Sequence, residues 1–530
     1  MPSLLIIFVS LSLLAGCKQS SPRQGEPAER TFLWRIKAGP PTLDPALAGD
    51  AISVNLLLKI FDGLVQFDPQ SMAVIPAVAK RWSVSPDGKT YTFYLRNDVL
   101  FHQGRPVTAR DVEYSFYRVL DPITASTRRW VLYPLKGAAV FSDGKSDTIP
   151  GIRVVDDTTL VLFLERPFAP FLGHLCMETA SILPQNLSGQ SPQEFLSHPV
   201  GCGPYQFVKY QRDVEVRLSA FDRYYEQKSE IQQLKFLVIP DIQQASLRYL
   251  NGEIDLLDEI PPGQLKHFQT KYPEELRVWP ILGIYYLIFN HEKPPFQDNL
   301  KLRQAVNYAI DKKSICEVIL EGAGLPAQGI LPPGIAGYNP HLKGYDFDPA
   351  KARQLLRETG LSGEINLKPL TLYIHSGQEI NRRIAQFIQA GLAAVGIKLM
   401  IKSLEYASYL TAMENGEPTL MIGLWQADFP DADNFLYNLL HSSHIGTGGN
   451  LARYRNLELD QLLDQARAEL NPGRRTALYQ QADSLAVSAA TWAMIFYYRD
   501  AILLNPQWDG VDLPAQGSFA LQTHSLKLKN

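Results

Sequence analysis

Alternating and helical hydrophobic patterns interleave along the whole chain. Tyr91, Phe93 and Leu95 share one face and Thr92 and Tyr94 the other, which predicts a half-buried strand over 90–96. The strand follows a turn at Ser85-Pro86-Asp87-Gly88. Val214, Val216 and Leu218 mark a second alternating strand. Thr108-Ala109-Arg110-Asp111 has the form of a capping box opening a helix that runs through Val119. In the second half, Leu302, Ala305, Val306, Ala309 and Ile310 fall on one helical face. Asp348-Pro349 supplies an N-cap and an N1 proline, and Gly360 is placed to end that helix. Ile384, Phe387, Ile388, Leu392 and Val395 form another stripe, and Ile397, Leu399 and Ile401 a short strand after it. Residues 419–425 (TLMIGLW) are continuously apolar, as in a strand buried on both faces. No repeat of 20–50 residues is present, which argues against solenoids and propellers. The mixture predicts a mixed α/β protein with several sheets.

The chain's 530 residues suffice for about three or four domain-sized units. Fifty-one basic and 54 acidic residues leave a net charge of −3, with no electrostatic footprint for nucleic acid. Four cysteines are too few for a disulfide scaffold or a multi-cysteine zinc module. Residues 4–14 (LLIIFVSLSLL) are too short an apolar run to span a bilayer and suit the core of a signal peptide. They lead to Leu14-Ala15-Gly16-Cys17, the pattern of a lipobox, in which Cys17 is the lipid acceptor. No Lys or Arg precedes the apolar run, a departure from the usual signal. Residues 18–30 (KQSSPRQGEPAER) read as a polar tether reaching at most ~45 Å. The expectation is a signal peptide over 1–16 and a protein held by a lipid outside the cytoplasm, at the periplasm or cell surface.

Catalytic signatures are missing. There is no Gly-x-Ser-x-Gly elbow and no His-Glu-x-x-His. Gly88-Lys89-Thr90 imitates the end of a P-loop, but Ser83 stands where its first glycine belongs and a strand follows. Residues 425–433 (WQADFPDAD) are rich in carboxylates yet lack the glycine and terminal glutamate of a calcium loop. His441 and His444 have loose metal-ligand spacing and read as a polar loop. No metal, cofactor or catalytic residue is expected. A hydrolase working through carboxylates would leave no short motif and stays an alternative.

Several blocks, taken in order, carry a resemblance. They are residues 87–116 (DGKTYTFYLRNDVLFHQGRPVTARDVEYSF), 199–205 (PVGCGPY) and 251–255 (NGEID), followed by 289–311 (FNHEKPPFQDNLKLRQAVNYAID), 381–396 (NRRIAQFIQAGLAAVG) and 425–435 (WQADFPDADNF). Together they resemble the oligopeptide/dipeptide-binding proteins of bacterial ABC transporters, extracellular solute-binding protein family 5, over roughly residues 31–515. The resemblance implies a bilobed fold like that of periplasmic binding proteins, with a hinge and an additional inserted domain. It divides the chain into domain I (31–74, 200–281 and 505–530), domain II (75–199) and domain III (282–504). It implies capture of a short peptide by hinge closure, delivery to a permease and ATPase complex, no chemical change to the ligand, and a monomer.

The resemblance also assigns residues. Asp428, just past the apolar run, matches the position that pairs with a peptide's α-ammonium, a partner that a desolvated ammonium requires. The alternative is a structural Asp that caps the next helix or pairs with an internal Arg. Trp425 is expected to line a side-chain pocket or the core. Tyr285 and Tyr286 are expected near the cleft, with sheet packing as the alternative. His375 is the candidate for a peptide carboxylate, ahead of Arg382 and Arg383 at a helix start. Gly201, Gly203 and Pro204 shape the return from domain II to domain I. Cys176 and Cys202, 26 residues apart, are a possible disulfide in an oxidising compartment. Two buried free thiols are the equal alternative, and Cys316 reads as unpaired core. Other readings are the same receptor for a nickel chelate, haem, an opine or an oligosaccharide, and a signalling or chaperone-like protein that presents ligand to a sensor.

Overall fold

The computed structural model describes residues 30–185, 191–360, 368–446, 448–523 and 525–529. Cys17 and the segments read as signal peptide and tether lie outside the described residues, apart from Arg30. Among the described residues, eleven strands form one mixed sheet. Its middle is two long antiparallel strands, Leu276–Phe289 and Trp492–Leu504. On one side, Leu420–Gln426 pairs antiparallel with Leu276–Phe289, and Leu370–His375 and Leu399–Leu404 continue in parallel. On the other side, Leu256–Leu257 leads to Thr31–Ile36, then Gln233–Val238, Glu215–Ala220 and Tyr205–Gln211. The ladder between the long strands breaks between Pro280 and Ile284. Residues 276–280 pair in one half of the sheet and residues 284–288 in the other.

A separate four-stranded antiparallel sheet comprises Ala79–Val84, Thr90–Leu95, Thr159–Phe163 and Ile152–Asp156. Thr90–Leu95 shows the alternation read from its sequence, with Tyr91, Phe93 and Leu95 buried. Helix Ala109–Leu120 covers this sheet, and Asp111 accepts the Thr108 backbone N–H at 2.9 Å. The chain re-enters the large sheet through Gly201 and Gly203. A Cβ on Gly201 would lie 2.0 Å from the Ile60 carbonyl oxygen, so only glycine fits that approach.

The helices of the second half follow their periodicity. Leu302, Ala305, Val306, Ala309 and Ile310 are all buried. Asp348 caps Pro349–Glu358 by accepting from the Lys351 N–H, and Gly360 takes a left-handed φ of 71° just beyond it. Two sequence expectations need correction. Val214 lies outside its strand and is exposed. Leu420–Gln426 is buried on both faces only as far as Gly423, for Leu424 is 52% exposed. The strand leaves the core there. No helix among the described residues is long and apolar enough to cross a membrane.

Candidate functional site

Asp428 lies two residues beyond Leu420–Gln426 and four before helix Ala432–Leu440. Its position is fixed on every side. Its backbone N–H donates to Asn434 Oδ1 at 3.0 Å, and its Oδ2 accepts Asn434 Nδ2 at 3.1 Å. Its carbonyl accepts Gln516 Nε2 at 3.2 Å. Asn434 Oδ1 also accepts Trp425 Nε1 at 3.0 Å, so one buried amide aligns both predicted residues. The next helix is capped by Asp431, not Asp428. Arg475 grips Asp431 in a fork at 2.7 and 2.8 Å, and Arg467 pairs with Asp433 at 2.9 Å. Burial pushes the Asp433 carboxyl upward, against the pull of Arg467.

The remaining oxygen of Asp428 points across the molecule. Its Oδ1 accepts Arg128 Nη2 at 3.0 Å, a residue 300 positions away in the segment associated with the smaller sheet. Arg128 Nε lies 3.4 Å from Glu178 Oε1. Burial disfavours the Arg128 charge, but Glu178 and Asp428 outweigh it and hold the guanidinium firmly protonated. Burial raises the Glu178 carboxyl, and Arg128 offsets only part of that rise. Phe429 follows Asp428 and is 2% exposed. It packs into the core of the smaller sheet, its ring centroid 4.8 Å from that of His174. The Ala169 N–H donates to the Arg467 carbonyl at 2.8 Å, so the two sides are in direct contact.

Asp428 and Glu178 line one small cavity of about 90 Å³. Its other walls come from residues 54–72 (Val54, Phe61 and Asp62 among them) and from 514–522 near the C-terminus, including Gln516 and Phe519. A larger cavity of about 340 Å³ adjoins it and shares Leu58, Asp62, Gln66, Phe67, Pro69 and Gln522. The larger space is lined without Asp428 or any other residue between 228 and 511. Burial pushes Asp62 up to about 7 and Lys59 down to about 7. Tyr225 Oη donates to Asp62 at 2.9 Å, and Lys59 Nζ donates to the Leu521 carbonyl at 2.5 Å.

The other expected residues separate. Tyr285 and Tyr286 are neighbours on a strand, so they point to opposite faces of the sheet. Tyr285 stacks on Phe496 at 4.8 Å and donates to Asn381 at 3.1 Å. Tyr286 stacks on Trp492 at 3.9 Å, over Gly423, where a Cβ would come within 2.5 Å of its ring. Both are buried in the sheet, as the sheet-packing alternative has it. His375 ends the strand Leu370–His375, half-buried beside Tyr406 and Tyr409, and does not line the cavity. Arg382 and Arg383 both pair with Glu379 in the first turn of their own helix. Cys176 and Cys202 are free, which corrects the possible disulfide. Cys176 lines the cavity while Cys202 is packed in the core beside the tight glycine crossing, and burial raises both thiols. Arg128, Glu178, Asn434 and Gln516 carry no sequence pattern that marks them. Only the doubled arginine at 128–129 stands out in retrospect.

Comparison with known proteins gives this geometry its context. The family described as "Bacterial extracellular solute-binding proteins, family 5 Middle" matches residues 73–447. Heme-binding protein A of Haemophilus influenzae is 33% identical over 528 residues, 94% of each chain. The dipeptide-binding protein of Escherichia coli is 33% identical over 476 residues, 86% of each chain. Among solved structures, the periplasmic binding protein DppA from Helicobacter pylori, in complex with peptide STSA, superposes with a TM-score of 0.78. It is 28% identical, over 94% of this chain and 98% of the other. The mixed α/β architecture is that of the periplasmic binding proteins. The chain belongs to the bacterial extracellular solute-binding proteins, family 5.

Proposed function

We propose that this protein is the extracytoplasmic receptor of an ABC importer, enclosing a short peptide between its lobes and presenting it to a membrane permease. The observation that carries the reading is Asp428, whose carboxylate is held by Asn434 of its own domain and whose backbone carbonyl is held by Gln516 of domain I, while its Oδ1 holds a cation from the opposite wall. A peptide α-ammonium is the same kind of partner as the Arg128 guanidinium. Trp425, tied to the same Asn434, supports a side-chain pocket beside it. Domain I is residues 31–74, 200–281 and 505–530, domain II is 75–199 and domain III is 282–504. The break in the two long strands near Pro280 supports a hinge at the domain I/III boundary. The apolar leader and Leu14-Ala15-Gly16-Cys17 support a lipid anchor on Cys17, with the receptor acting as a monomer.

The test is a thermal-shift series on refolded, ligand-stripped protein with di- to pentapeptides, each with a free and an acetylated N-terminus. Free-amine peptides at 100 times their Kd add about 2.7 kcal/mol, and Asp428→Asn lowers their affinity by about 100-fold. Equal responses to both forms would remove this role from Asp428. Haem is the second reading, favoured by the likeness to Heme-binding protein A. Stabilisation by haem, with none by any peptide, would replace the first reading by the second.

A further inference from the structure

The charges at the interlobe cavity do not balance. Asp428 and Glu178 bring two carboxylates and Arg128 one guanidinium. The cavity's lining holds a third acid, Asp62, and no Lys, Arg or His. Asp431 and Asp433 add nothing to the surplus, because Arg475 and Arg467 neutralise them. The partners of Glu178 are also poor. The residue is 6% exposed, and besides a bond from its own backbone N–H its contacts with Arg128 Nε and Thr179 Oγ1 are long, at 3.4 and 3.5 Å. Arg128 Nε is buried with no hydrogen bond among the described residues. Buried carboxylates are normally well satisfied, and an under-satisfied one beside a cavity is a place for a donor.

We propose that Glu178 is a second carboxylate of the ligand-cation subsite, so that one monocationic group binds between Glu178 and Asp428 with Arg128 as their shared counter-ion. This rests on the receptor reading above and specifies the group it selects. With a bound ammonium the cluster holds two positive and two negative charges. The surplus disfavours an anionic or neutral chain end at this position, so Glu178 reinforces the choice of a free amine. The same cluster ties Glu178 and Arg128 on one side to Asp428 on the other, and the ligand's charge completes the set.

The experiment incubates the purified protein with an equimolar mixture of tripeptides, half of them N-acetylated, and identifies what is retained by mass spectrometry. The wild type retains free-amine forms over acetylated ones by more than about tenfold. In Glu178→Gln the ratio falls at least about threefold, and in Glu178→Asp, which keeps the charge, it is largely restored. An unchanged ratio in Glu178→Gln, with loss of the ratio in Asp428→Asn, overturns the role of Glu178 and leaves the receptor reading intact. No preference in the wild type overturns both. Should Glu178→Gln fail to melt cooperatively, Arg128→Met decides. It leaves two unpaired carboxylates, so the free-amine ratio rises, and a fall overturns the proposal.

Discussion

Two arginine–aspartate pairs, whose aspartates stand three residues apart at 428 and 431, are built differently. Arg475 and Asp431 are 16% and 17% exposed, and Arg128 and Asp428 are 17% and 23% exposed. Burial does not separate them. Hydrogen bonding does. Arg475 places two nitrogens on Asp431, donates Nε to the Ala466 carbonyl at 3.1 Å and reaches Tyr479 Oη at 3.1 Å. All these partners lie within one lobe. Arg128 makes one good bond to Asp428, one long approach to Glu178, and leaves its Nε unsatisfied. It also crosses from one lobe to the other. A saturated pair inside a lobe shapes the loop, whereas an unsaturated pair across a cleft can exchange a partner. The first fixes the loop that carries Asp428, and the second joins that loop to the opposite side of the cavity.

The contrast breaks most readily at its rigid end. Arg475→Leu leaves Asp431 without its fork and Tyr479 beside uncompensated carboxylates. It is expected to cost about 3–5 kcal/mol, read as a lower urea midpoint. A cost below about 1 kcal/mol would mean that the saturated pair is no more structural than the other.

Lys59 offers a sharper case, because its lone bond to the Leu521 carbonyl does not compensate its burial. Its folded value is about 7 against 10.5 for the free group. Between those values the unfolded chain holds the proton and the folded chain does not. The lysine's contribution therefore rises with pH from 7 to 10.5 and is lost as pH falls through that window. Lys59→Met removes that slope. It is expected to gain roughly 3 kcal/mol relative to wild type at pH 7 compared with pH 10, measured by unfolding at both values. Parallel stability curves would show that the ammonium is well accommodated. Asp62, raised to about 7, has the opposite slope at lower pH, between about 4 and 7, so the two do not mask each other.

The fold was legible wherever local pattern and burial coincide. The alternation of Tyr91, Phe93 and Leu95, the stripe from Leu302 to Ile310 and the Asp348-Pro349 start each depend on residues within one element. The site was half legible. Asp428 follows from a strand that runs into a crevice, and Trp425 from its neighbourhood. Arg128 and Glu178 could not be found this way, since Arg128 meets Asp428 only across 300 residues of chain and Glu178 joins them only through Arg128. For Tyr285 and Tyr286 the sequence left cleft and sheet packing both open, because a run of apolar residues, ILGIYYLIF, hides which face is which. Both faces of that strand are covered, so neither tyrosine opens to the cleft.

The unsaturated pair gives the next effect in size. Arg128→Met is expected to cost about 1–2 kcal/mol, less than Arg475→Leu, because Asp428 keeps its bonds with Asn434 and Arg128 makes only one good bond to lose. Urea unfolding of both variants side by side checks the order. Equal costs would remove the distinction between a fixed pair and an exchangeable one.

The smallest effect tests the boundary of the site. Tyr285→Phe removes one hydroxyl and its bond to Asn381 while leaving the stack on Phe496 in place. A neutral hydrogen bond of this kind is worth about 0.5–1.5 kcal/mol, and its acceptor, Asn381 Oδ1, would lose that donor in a buried setting. Stability should fall within that range. Peptide affinity should not change, because the ring packs against a core that lies behind the strand and away from the cavity carrying Asp428. The two readouts separate cleanly. A loss of affinity larger than the loss of stability would place the Tyr285 hydroxyl in contact with ligand in the occupied protein. The lobe's sheet would then have to shift when peptide binds, and the rigid half of the comparison would not be rigid.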